Sequence, residues 1–133
     1  MATNRSATAR IARAVSSALK RHRLANAKDP LLLAVSGGQD SLALLVAAAS
    51  LPAGRRPPLM VAHVSHGLRP STDLKAAALV KRVASSLEIE VLHGLGKAGP
   101  SESAARDMRY AFLAEAAKSV NASAVLTAHT QDD

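Results

Sequence analysis

Residues 31–51 read Leu-Leu-Leu-Ala-Val-Ser-Gly-Gly-Gln-Asp-Ser-Leu-Ala-Leu-Leu-Val-Ala-Ala-Ala-Ser-Leu, and the fold is decided here. Leu31 to Val35 is a short continuous apolar run, the pattern of a strand buried on both faces. Ser36-Gly37-Gly38 cannot comfortably extend a strand. From Asp40 to Leu51 every residue is compatible with a helix, and Leu and Ala dominate. The order is strand, glycine turn, helix.

The same alternation continues on both sides of this stretch. Upstream, Asp29-Pro30 breaks a basic segment whose Ile11, Val15, Ala18 and Leu19 fall at helical spacing. Downstream, Pro52 to Pro58 is a breaker-rich connection, and Leu59 to His63 is a second apolar run. A helix is expected from about Asp73 to Leu87, capped by Ser71, Thr72 or Asp73, with Leu74, Ala78 and Leu79 on one side. Glu88 to Leu92 reads as a third strand, Glu102 to Val120 as a helix ending near Asn121, and Ala124 to Thr127 as a fourth strand. Short strands alternating with longer helices imply an α/β fold with a parallel sheet flanked by helices. Ligands of such sheets bind at the carboxyl ends of the strands. Three polar clusters, Ser36 to Ser41, His63 to Arg69 and His129 to Asp133, directly follow strands and are expected on that edge.

Composition narrows the class. A chain of 133 residues that is 48% hydrophobic can bury a core of its own. It has no cysteine and no apolar run near the ~18 residues that span a bilayer, so a soluble, cytoplasmic protein with no membrane partner is expected. The net charge of +7 is uneven: residues 1–28 hold seven basic side chains and no acid, and residues 29–133 hold ten of each sign. The expected organisation is a basic N-terminal helix at 1–28 and a single α/β domain at 29–133. The basic segment reads first as an ordinary surface helix, and less readily as an organelle transit peptide or an RNA-steering element. With one Tyr, one Phe and no Trp, base stacking on aromatic platforms is not expected.

Ser36-Gly37-Gly38-Gln39-Asp40-Ser41 carries the chemistry. Paired glycines let backbone N–H groups turn toward a ligand at close range, and the following helix N-terminus adds its dipole and unpaired donors. Together these favour a polyphosphate. Ser36 and Ser41 offer hydroxyls, and Asp40 can hold a metal ion that shields the phosphates. A plain tight turn is the simpler alternative, but Gly-Gly alone, without this serine and aspartate pattern, is all that alternative needs. No Lys precedes the final Ser, so the loop is not a Walker A loop.

Other polar clusters are less specific. Gly94-Leu95-Gly96-Lys97-Ala98-Gly99 matches Gly-x-Gly-x-x-Gly, yet Pro100 follows at once and no acidic residue sits at a later strand end ~20 residues on, so it reads as a loop. His63, His66 and Arg69 can contact a nucleotide, or the imidazoles can cap nearby backbone. No third ligand is evident for a metal. Glu102, Arg106 and Arg109 are close on one helix, where a surface ion pair is the plainer reading. His129, Asp132 and Asp133 end the chain as one imidazole and two carboxylates.

The Ser-Gly-Gly-x-Asp-Ser stretch resembles the PP-loop of the ATP pyrophosphatase family, which implies an adenine nucleotide alpha hydrolase-like three-layer sandwich. His63 to Arg69, Glu102 to Tyr110 and Ala128 to Asp133, following it in order, resemble the tRNA(Ile)-lysidine synthetase branch. Two positions depart from that pattern: Ser65 stands where Asn or Asp is usual, and Thr130 where a second His is usual. The resemblance implies ATP held by Ser36, Gly37, Gly38, Gln39, Asp40, Ser41 and His66, with Mg²⁺ or lysine at Asp40 and Asp133. It implies Arg106 and Arg109 for charge on an adenylate, and tRNA(Ile) with a CAU anticodon and free L-lysine as partners. A homodimer is left open. Members of the branch continue past the Asp-Asp pair, so an N-terminal fragment or truncated product, inactive alone, is expected. Within the family, a thiolating enzyme generally needs cysteines, whereas an amidotransferase-type synthetase or a non-catalytic nucleotide-binding module remains an alternative.

Overall fold

The computed structural model describes residues 5–65, 70–95 and 102–128. Helix α1 (Arg5–Arg21) precedes strand β1 (Leu31–Ala34), helix α2 (Gln39–Ser50), strand β2 (Leu59–Ser65), helix α3 (Pro70–Ser86), strand β3 (Glu90–Leu95), helix α4 (Glu102–Ser119) and strand β4 (Ala124–Thr127). A single 3-10 turn, Ala53–Arg55, separates α2 from β2. The four strands form one sheet in the order β3-β2-β1-β4, and every pairing is parallel.

Period-two alternation in the strands splits the core into two layers. Leu31, Leu33 and Val61 point to one face, where they meet Val15 and Leu19 of α1, Leu44, Leu45 and Ala48 of α2, and Val80 and Ala84 of α3. Leu32 and Ala62 point to the other face and meet Leu113 and Ala116 of α4. The result is helices on both faces of a parallel sheet, as the alternation predicts. Leu31, Leu32 and Leu33 are each fully buried, which is why an apolar run without polar interruption is needed at β1. Helix α1 belongs to this packing: Ala12, Val15 and Leu19 are buried, and α1 lies chiefly on α2.

Helix ends explain where the expected boundaries move. Arg23, Glu88 and Asn121 take left-handed backbone, with φ of 60°, 59° and 54°. Each closes a helix with a paired set of reverse bonds, Leu24 N–H to Leu19 O at 2.7 Å, Ile89 N–H to Ala84 O at 2.8 Å, and Ala122 N–H to Ala117 O at 2.8 Å. Glu88 and Ile89 are therefore consumed in ending α3, and β3 starts at Glu90 instead of Glu88. At the other end of α3, Pro70 occupies the first helical turn, where its missing N–H is harmless. Ser71, Thr72 and Asp73 thus lie inside the helix and do not cap it from outside. The buried side of α3 also differs from expectation. Val80 and Ala84 are buried while Leu74 is 71% exposed, because α3 reaches the sheet with its C-terminal half.

Gly94, the first glycine of the Gly-x-Gly-x-x-Gly pattern, lies within β3. A Cβ built there would sit 2.5 Å from two ring carbons of Phe112 in α4. The glycine is required by a helix that rests on the strand, a packing role with no ligand in it. Gly96 to Pro100 lie outside the described residues. Gly94→Ala is expected to lower unfolding stability by about 1–3 kcal/mol through overpacking, measured by denaturant titration. An unchanged midpoint would show that the Phe112 ring yields freely.

Candidate functional site

The first strand ends against the chemistry. Val35 N–H donates to Ala62 O at 2.9 Å, carrying the β1–β2 ladder one step past the strand. His63, buried in β2, places Nδ1 2.8 Å from Val35 O. A carbonyl only accepts, so Nδ1 carries the proton in this contact. The imidazole, one of two weighed as nucleotide contacts, fixes the backbone where the loop begins. Its ring also meets His93 of β3 edge to face, with centroids 5.8 Å apart.

The loop itself is held by two hydroxyls. Ser36 N–H donates to Ser41 Oγ at 3.0 Å, and Ser41 Oγ donates to Gly38 O at 3.1 Å. Gly38 N–H donates to Ser36 Oγ at 3.2 Å, and the two hydroxyls are 3.1 Å apart. With the Ser41 proton on Gly38 O, the Ser36 hydroxyl is the donor between them. Ser41 is buried, so its hydroxyl serves the loop's own backbone. Within this frame Gly37 adopts φ +97°, a conformation that a side chain strains. Space forbids a side chain as well: a Cβ on Gly37 would lie 2.9 Å from the Cβ of Ala76 in α3.

Gly38 is the extended N-cap of α2, and among the described residues no side chain caps the helix. Among the described residues, the backbone N–H groups of Gln39, Asp40 and Ser41 meet no carbonyl or side-chain acceptor. An uncapped first turn with its dipole is a ready anion site. Gln39 and Asp40 are exposed beside it.

Topology puts this turn where a ligand can reach it. From β1 the chain proceeds to β2 on one side, and β4 returns on the other. The crevice at the carboxyl ends of β1 and β4 is therefore the switch point of the sheet. A cavity of about 180 Å³ opens there, lined by Ala34, Val35, Ser36 and Ser41, by Ala62 and Val64 of β2, by Thr127 and Ala128, and by Arg109, Tyr110 and Leu113 of α4. Arg109 is thereby brought to the glycine loop from 68 residues away in sequence. Its guanidinium carbon lies 5.9 Å from the centroid of the Tyr110 ring. Val64, Tyr110, Leu113 and Thr127 were not singled out as site residues; Tyr110 and Thr127 stood inside motifs, but nothing in their type marks a cavity wall.

Five of the expected residues, Gly37, Gly38, Gln39, Asp40 and Arg106, do not line this cavity. Arg106 is exposed on α4 and does not line it. Asp40 lines a second cleft of about 370 Å³ on the opposite face, with Leu44, Leu126, Thr127, Ala128 and the α1 residues Ile11, Ala14, Val15 and Ala18. Thr127 and Ala128 border both, so the end of β4 is the ridge between them. Among the described residues no group of three or more His, Cys, Asp or Glu gathers to hold a metal. One exposed carboxylate beside an anion site is nonetheless the donor set Mg²⁺ accepts, since that ion is commonly bound by one or two carboxylates together with substrate phosphates. His66, Arg69, His129, Asp132 and Asp133 lie outside the described residues, as does the side chain of Glu102. No described helix is long and apolar enough to cross a membrane.

Ser41→Ala leaves Ser36 N–H without its acceptor and removes one of the two donors to Gly38 O, which keeps Leu42 N–H. Loss of about 1–3 kcal/mol of stability is expected, with weaker nucleotide binding by calorimetry. Wild-type values for both would show that the hydroxyl lattice does not set the loop.

Residues 7–133 match the family model described as a PP-loop domain. The chain is also similar to curated proteins named tRNA(Ile)-lysidine synthase. It is 46% identical over 113 residues to one from Thermus thermophilus, covering 80% of this chain and 22% of that protein. The Rhodopseudomonas palustris protein is 47% identical over 113 residues, covering 80% and 32%. The one from Dehalococcoides mccartyi is 37% identical over 131 residues, covering 90% and 27%. The chain thus spans between about a fifth and a third of the length of these relatives.

Proposed function

Because the chain belongs to the PP-loop family, whose members use ATP, we propose that it is the ATP-binding part of a ligase that makes lysidine at the wobble cytidine of tRNA(Ile). The names of the similar proteins motivate the substrate. The observation that carries the site is the uncapped first turn of α2, held open beside a left-handed glycine at the switch point of the sheet.

The chemistry demands such a site. The C2 oxygen of cytidine is a poor leaving group, so an amine cannot displace it directly. Attack of that oxygen on the α-phosphorus of ATP forms an adenylate and breaks the bond to pyrophosphate. The ε-amine of free lysine then attacks C2, and AMP departs with the oxygen. Negative charge builds on the pyrophosphate as it leaves, and fixed N–H donors stabilise it most where water is excluded. In this reading Gln39 to Ser41 present those donors to the departing pyrophosphate. Arg109, at the wall of the neighbouring cavity, lies against the α-phosphate and the adenylate. Arg106, exposed one turn away, is the weaker candidate for that role.

Bound Mg²⁺ would supply charge neutralisation at the phosphates, with Asp40 as its protein ligand; Asp133 is proposed as the second carboxylate on the strength of the resemblance alone. Free L-lysine and tRNA(Ile) bearing a CAU anticodon complete the reactants.

Asp40→Ala in the full-length gene product is expected to reduce incorporation of labelled lysine into a tRNA(Ile) transcript by at least about 10²-fold, with folding unchanged by circular dichroism. Unchanged turnover would reject the site. ATP binding without pyrophosphate release in the wild-type protein, given lysine and tRNA, would support a non-catalytic nucleotide module instead.

A further inference from the structure

Helix α1 presents an organised set of cations that the nucleotide site does not use. Arg10, Arg13, Lys20 and Arg21 are all exposed. At 3.6 residues per turn they share an arc of roughly 100° with Ser17. Opposite that arc lie Ala12, Val15 and Leu19, all buried.

A surface helix ordinarily carries carboxylates three or four residues from its cations, and those pairs steady it. Residues 1–28 contain no acid, so the stripe has no such neighbours along its own helix. Lys20 and Arg21 sit in the last turn, where the helix dipole favours them. Arg10 and Arg13 lie outside that turn and gain nothing from it. Helix stability therefore accounts for only half of the stripe.

Its position is as specific as its charge. Ile11, Ala14, Val15 and Ala18 border the cleft that also holds Asp40 and Ala128, so the middle of α1 lies beside the carboxyl edge of the sheet. The end of α1 leads back to the start of β1 at the opposite edge. From Arg10 to Arg21 the stripe descends the flank of the domain over about 16 Å at 1.5 Å per residue. A basic amphipathic helix also resembles an interfacial membrane anchor. Here the apolar face that a bilayer would require is buried in the core with α2.

We infer that the exposed face of α1 docks the phosphate backbone of the RNA substrate and holds it beside the nucleotide site; this rests on the tRNA-modifying reading above. Recognition is by charge and is independent of base sequence, as phosphate contacts are.

The test is the salt dependence of RNA binding by the full-length gene product, read by fluorescence anisotropy. The probes are a tRNA(Ile) transcript and an unrelated structured RNA of equal length. Arg10→Gln, Arg13→Gln, Lys20→Gln and Arg21→Gln are combined in one variant, since Gln preserves helix propensity. Each phosphate contact contributes about 0.7–0.9 to the slope of log K against log salt, so the slope is expected to fall by about 3. Affinity at ~0.1 M salt is expected to fall at least about tenfold for both RNAs. The matched control changes Lys75, Lys81, Arg82 and Lys118 to Gln, removing the same charge from exposed sites on α3 and α4. The inference is overturned by an unchanged slope in the α1 variant or by an equal loss in the control. It is also overturned if the variant keeps its RNA affinity and loses binding to phosphatidylglycerol vesicles. The wild-type protein is assayed in parallel for lysine incorporation: no product, together with intact salt-dependent RNA binding, removes the proposed reaction and leaves the docking surface standing.

Discussion

The two serine hydroxyls at the mouth of β1 are the constraint on which the site depends. Ser41 Oγ receives Ser36 N–H and returns a proton to Gly38 O, while Ser36 Oγ receives Gly38 N–H. Five polar groups of one short loop are satisfied by each other. This closure lets the chain leave a buried strand and enter α2 with no side-chain cap among the described residues, so the donors of the first turn stay unpaired there. A conventional Ser or Asp cap would have stabilised the helix by about 1 kcal/mol and covered those same donors. The loop satisfies its own polar groups and leaves the helix end available.

That arrangement needs support from three sides. His63 holds Val35 O from β2, Ala76 of α3 closes against Gly37, and Arg109 arrives from α4. The sheet order brings these together because β1 is central, with β2 and β4 as its two neighbours. Asp40 and Arg109 stand on opposite sides of the ridge formed by Thr127 and Ala128. A ligand spanning both must cross the end of β4, which suits an extended polyphosphate better than a compact one. The α1 helix borders the Asp40 side, so the RNA surface inferred there adjoins the proposed metal carboxylate.

Much of this was legible in the sequence, for reasons that differ between elements. Leu31 to Val35 and Ala124 to Thr127 announced strands because an uninterrupted apolar run between breakers has few other uses. The diglycine with flanking serines announced the turn between β1 and α2 because those residue types set the local backbone themselves. The start of β3 was not legible, since Glu88 adopts left-handed backbone that no residue preference reveals. Nor was the buried face of α3: Leu74 and Ala78 have the right spacing, but the helix touches the sheet farther along. Gly94 looked like part of a nucleotide fingerprint until the Phe112 ring supplied a packing reason. Approaches between residues distant in sequence, such as Gly37 to Ala76 or Arg109 to the cavity that Ser36 lines, leave no signal in spacing.

The central claim is that the first-turn amides of α2 hold the phosphates of ATP. It is tested most directly by a ¹⁵N–¹H correlation titration with a non-hydrolysable ATP analogue and Mg²⁺. The account predicts that the largest amide shifts fall on Gly37 to Ser41, with a smaller response at Arg109. Saturable binding that leaves those amides unmoved while shifting others would contradict it.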